Sequence, residues 1–89
     1  MRIKEGFVLR EVCGERVIVG EGLNVINFGR LISVNETASW IWKFCVKAVD
    51  FNEDMITDAL CAEYDVNRDS AQRGVHSMIT QWIEQGMIE

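Results

Sequence analysis

Proline is absent from the 89 residues, and glycine occurs only seven times. Those shortages exclude a collagen-like chain and a proline- or glycine-rich linker. No apolar run approaches the ~18 residues that a membrane-spanning helix requires. No apolar signal-peptide core follows Met1-Arg2-Ile3-Lys4-Glu5-Gly6, so a cytoplasmic protein with no membrane contact is expected. Cysteine is scarce and odd in number. Cys13, Cys45 and Cys61 form no C-x-x-C pair, which argues against a disulfide framework. Cys45 and Cys61 read instead as small apolar residues on helix faces. Histidine is rarer still. With His76 as the single imidazole, the closely spaced Cys/His ligands of a zinc site are missing, and no metal is expected.

Catalytic signatures are missing too. There is no Gly-x-Ser-x-Gly elbow, no phosphate-cradling glycine loop and no His-Glu-x-x-His helix. Gly20-Glu21-Gly22 lacks the third glycine and the helix start of a dinucleotide fingerprint. Ser33 has no His or Lys beside it in sequence to activate it, and His76 reads as a partly exposed surface residue rather than a general base. The expectation is a protein that is not an enzyme and holds no cofactor.

What is present is the balance of an ordinary globular domain, 48% apolar and 26% charged, in a length that suits one domain over residues 1–89. The net charge of −5 is unevenly spread. Residues 1–34 carry five Lys and Arg against four Asp and Glu, while residues 35–89 carry four against ten. Phosphate neutralisation needs clustered cations, so the acidic second half opposes nucleic-acid binding.

The pattern of apolar residues changes period along the chain. Phe7–Val12 and Glu15–Val19 are β-type runs joined at Cys13-Gly14, a hairpin. Leu23–Phe28 is a weaker apolar stretch, and Gly29 punctuates it. Arg30–Val34 is a further strand, with Ile32 and Val34 on one face and Leu31 and Ser33 on the other. Helical spacing then begins. Asn35 caps a helix whose stripe is Ala38, Ile41, Trp42, Cys45 and Val49, widened by Trp40 and Phe44. Asp50 or Asn52 starts a second helix with Met55, Ile56, Ala59 and Leu60 inward. Asn67 caps a third, with Val66 placed to staple against Ala71. Its face is Ala71, Val75, Met78, Ile79 and Trp82, Ile83 lies on the flank, Gly74 suggests a close approach by a neighbour, and Gly86 ends it so that Met87-Ile88 folds back. Strands followed by helices make an α+β domain with segregated elements.

The surface best suited to function is a sheet edge. If Arg30–Val34 lies at an edge, it carries one cation and neither proline nor an acidic residue, so it is open to strand addition by a peptide.

Several stretches also resemble the PqqD-like family. Leu31-Ile32-Ser33-Val34-Asn35-Glu36-Thr37-Ala38 followed by Ser39-Trp40-Ile41-Trp42 is similar to that family's strand-to-helix junction. Leu60-Cys61-Ala62-Glu63-Tyr64-Asp65-Val66 is similar to the end of its second helix, Trp82-Ile83-Glu84-Gln85-Gly86-Met87-Ile88 to its closing segment, and Phe7–Val12 to its first strand. The chain departs from the pattern by having Gly20-Glu21-Gly22 in the region where a proline often precedes the third strand. The resemblance implies three antiparallel strands followed by three helices, winged-helix-like. It also implies a non-catalytic peptide chaperone: a recognition element that binds the leader of a ribosomally made precursor peptide. The leader is then presented to a radical S-adenosylmethionine or other modifying enzyme, in pyrroloquinoline-quinone or another peptide pathway. In the family the leader adds beside the third strand and packs against the third helix. Carried to this chain, the strand is Arg30, Leu31, Ile32, Ser33 and Val34, and the helix flank is Gln72, Val75, His76, Ile79 and Ile83.

Two other readings are compatible with the order of elements. One is a winged-helix transcription regulator reading DNA through residues 67–86, where Arg68 and Arg73 are the cations. The other is a homodimer that pairs edge strands.

Overall fold

Alternation of apolar residues on the strands and their 3.6-residue recurrence on the helices require a two-layer solution, sheet against helices. The computed structural model describes residues 1–20 and 31–89. The apolar stretch Leu23–Phe28, Gly29 and Arg30 therefore lie outside the described residues.

Strands β1 (Phe7–Val12), β2 (Glu15–Gly20) and β3 (Leu31–Val34) precede helices α1 (Glu36–Ala48), α2 (Glu53–Glu63) and α3 (Arg68–Glu84). The sheet is antiparallel in the order β1-β2-β3. Its α+β architecture is the one the sequence implies. The register sets Leu9 opposite Ile18 and Ile18 opposite Ile32. That row faces the helices and joins the core, and Phe7 and Val34 extend it. A slip by one residue would turn every one of these side chains away from the core. The hairpin turn is Cys13-Gly14, with φ of 52° and 80°. Two positive φ values match the twist of the flanking strands; glycine adopts one freely, while cysteine is an unusual occupant of the other.

Three asparagines start the three helices. Asn35 Oδ1 accepts from the Ala38 N–H at 2.8 Å, Asn52 Oδ1 from Met55 at 2.8 Å, and Asn67 Oδ1 from Asp69 at 2.9 Å and Ser70 at 3.2 Å. Each satisfies backbone donors that the helix cannot, worth about 1 kcal/mol. Asn52 rather than Asp50 begins α2; Asp50 sits in an isolated bridge with Arg2. Buried Thr57 donates its hydroxyl to the Glu53 carbonyl at 2.8 Å, so its polarity costs little.

The core joins Ile18 of the sheet to Ile41, Trp42, Cys45, Ile56, Leu60, Val75, Ile79 and Trp82 of the helices. Trp40 stacks on Phe44 and meets the edge of Tyr64, which seals α1 against the end of α2. Gly86, at φ 77°, turns the chain so that Met87 and Ile88 enter the core as expected. Residues 2–4 then pair with the segment after the turn. Arg2 and Glu89 exchange backbone hydrogen bonds at 2.9 Å, and the Lys4 N–H donates to Met87 at 2.8 Å.

Three expectations are corrected. Val49 is not part of the α1 stripe: it is 56% exposed, at φ 67° and ψ −61°. The Asp50 N–H donates to the Ala48 carbonyl at 2.8 Å, closing a γ-turn of the rare, strained hand around Val49. That turn brings the chain back to bury Phe51. Met55, expected to face inward on α2, is 41% exposed, and buried Thr57 takes an inward place instead. Gly74 has no close neighbour, since a Cβ there would meet nothing within 4 Å.

Candidate functional site

Among the described residues the strand order puts β2 at the centre and β3 at an edge. An edge strand leaves half of its backbone N–H and C=O groups without a ladder partner. Asn35 fixes how β3 meets α1, because its side chain caps the helix one residue after the strand ends. Ile32 and Val34 pack partly against the core while Ser33 is exposed, as the strand's period of two requires.

A cleft of about 200 Å³ runs between this strand and α3. Ile32, Ser33, Val34 and Asn35 line it from the strand side, with Ala38 of α1; Met78, Gln81 and Trp82 line it from α3, and Gln85 from that helix's C-cap. These last four recur at i, i+3, i+4 and i+7, one stripe of the helix and its cap. None of these side chains carries a charge. The Gln85 Oε1 is shielded from solvent and has no hydrogen-bond partner among the described residues.

The sequence-derived helix flank lies elsewhere. Gln72 and His76 face α2, lining a hollow of about 540 Å³ with Glu53, Asp69 and Arg73. His76 Nδ1 is 2.8 Å from Glu53 Oε1, which ties α3 to the start of α2. Val75 and Ile79 are core residues, and Ile83 is 49% exposed. Of that set, none lines the cleft beside β3. The larger hollow is bounded mostly by charged side chains; His76 contacts Glu53, Arg73 donates to the Asp69 carbonyl, and no described strand residue lines it. One signal in the sequence separates the two flanks. Met78, Gln81 and Gln85 make a neutral flank, whereas Arg73 and His76 mark the other as polar and charged.

The cations of α3 are already engaged. Arg68 pairs with Asp58, which raises its pKa further above the ordinary arginine value, and the Arg73 Nε–H donates to the Asp69 carbonyl. No cluster of phosphate-binding side chains results. Among the described residues no group of three or more His, Cys, Asp or Glu is placed to hold a metal ion, and no helix is long and apolar enough to cross a membrane.

The family model described as coenzyme PQQ synthesis protein D (PqqD) matches residues 10–88. The chain belongs to the PqqD family. No curated protein sequence matches it as a relative. Two solved structures share the fold. One is TbiB1 in complex with the TbiA(beta) leader peptide, at a TM-score of 0.78 and 22% identity, covering 100% of this chain and 95% of that one. The other is lasso peptide synthetase B1 complexed with the leader peptide, at a TM-score of 0.73 and 22% identity, covering 99% and 95%. Membership in the PqqD family thus extends over both the β3 edge and the cleft beside it.

Proposed function

We propose that residues 1–89 act as one peptide-recognition unit, which binds the leader of a ribosomally made precursor peptide as an added strand along β3. The observation that carries this reading is the edge strand β3 bordered by an uncharged cleft against α3. Main-chain hydrogen bonds to Leu31–Val34 supply affinity, and alternate side chains of the leader enter the cleft. The proposed contact set is Leu31, Ile32, Ser33 and Val34 with Met78, Gln81, Trp82 and Gln85. Arg30, expected in the same set, lies outside the described residues. Membership in the PqqD family and the leader-bound state of two proteins of the same fold support the choice of ligand.

The unit presents its peptide without catalysing a reaction of its own. Its partner is a peptide-modifying enzyme, a radical S-adenosylmethionine protein or another, working in the cytoplasm. An engaged Arg68 and Arg73 weigh against the transcription-regulator reading.

The test is an amide chemical-shift titration with a leader peptide encoded beside the gene. Shifts confined to residues 31–34 and 78–85 are the expected result, abolished when the peptide is N-methylated at alternate residues. Tight binding that leaves the β3 amides unmoved would overturn strand addition. Light scattering during the same titration detects a β3-paired homodimer, which the peptide would dissociate.

A further inference from the structure

An uncharged cleft beside a strand edge recognises shape and apolar area, and discriminates weakly between similar apolar side chains. One group here has the opposite character. The Gln85 side chain lines the cleft, and its carbonyl oxygen is sequestered with no hydrogen-bond donor among the described residues. A polar atom shielded from water and unpaired incurs its desolvation penalty without compensation, so a donor that reaches it is favoured beyond an ordinary hydrogen bond.

We propose that Gln85 is the specificity-determining residue of the cleft and selects a leader residue with an uncharged hydrogen-bond donor, a side-chain amide or hydroxyl. The inference rests on the leader-binding reading above and adds a chemical requirement to it. A peptide strand lying along β3 sends every second side chain towards the helix layer, where Gln85 stands. The terminal torsion of glutamine is soft and roughly two-fold, so its oxygen turns to meet a donor beneath a bound strand, where water is excluded and an unpaired oxygen would cost most. Ammonium and guanidinium groups would also donate. However, the described lining offers no carboxylate to compensate their desolvation, which favours neutral donors.

The experiment selects displayed random decapeptides on the full chain and on Gln85→Met, an uncharged replacement of similar length and volume. Thermal unfolding verifies that both are folded. Selected peptides are resynthesised, and their contact with β3 is read from the amides of residues 31–34. On the wild type, one position is expected to enrich Ser, Thr, Asn or Gln, and replacing that residue by an apolar isostere weakens binding about tenfold. On Gln85→Met the enrichment disappears and the same replacement has no effect, which is the coupling of a double-mutant cycle. Peptides that bind along β3 with no donor position, or with one that Gln85→Met preserves, overturn the assignment to Gln85 and leave leader recognition standing. Enrichment of acidic residues overturns it as well. Failure to select any peptide that moves the β3 amides overturns leader recognition, and the role of Gln85 with it.

Discussion

Trp42 and Trp82 meet edge to face, ring centroids 5.2 Å apart and planes at 88°. Both rings are buried, and Trp82 also forms part of the wall of the β3 cleft. The same side chain therefore belongs to the core and to the candidate site. Trp42→Ala is expected to cost about 3–5 kcal/mol, a large part of the stability of so small a domain. Trp82→Phe keeps much of the packing while reshaping the cleft wall. It should lower stability by less than Trp42→Ala and still weaken leader binding, as urea unfolding and peptide titration together would show.

The strain at Val49 yields a second prediction. A β-branched residue at positive φ is disfavoured, and the side chain there gains little burial in return. Val49→Gly should stabilise the fold by about 1 kcal/mol. Equal or lower stability by urea unfolding would mean that the valine side chain contributes more than its exposure suggests.

Gly74 leads to a third. It lies inside α3, has ordinary helical surroundings and leaves open space where a Cβ would sit. Gly74→Ala should add about 1 kcal/mol, with no loss of peptide binding because the residue lies outside the cleft.

Cys45 provides the fourth. Burial pushes its thiol up from 9.0 to about 12, so folding favours the neutral form. The associated stability is complete below pH 9.0 and is lost as pH rises from there towards about 12. Cys45→Ala should be less stable at neutral pH, through lost packing, and should fall less steeply over that alkaline range. In the native wild type a thiol reagent should modify exposed Cys13 first and Cys45 last.

Much of this fold is legible from local signals. The hairpin followed from two β-type runs around Cys13-Gly14, and the helix starts from three asparagines whose side chains reach the backbone two or three residues on. Val49 was not legible, because periodicity continues through it while the helix is ended by the turn that buries Phe51. The orientation of α3 is a similar case. Its spacing marks Ala71, Val75, Met78, Ile79 and Trp82 as one face; all but Met78, which is only partly buried, are in the core, and two flanks adjoin that face. Which one meets β3 depends on where α2 packs, and the His76–Glu53 contact assigns the Gln72 and His76 flank to α2. The neutral flank of Met78, Gln81 and Gln85 is left beside the strand.

The pairing of residues 2–4 with residues 87–89 places the two ends of the fold side by side. A unit whose entry and exit points are neighbours can be spliced into a surface loop of another protein with little loop-closure cost. Grafted in this way into a modifying enzyme, it would hold its peptide at a fixed distance from the reaction centre and raise the peptide's effective concentration there. The short ladder at the termini thus makes the fold portable as a cassette.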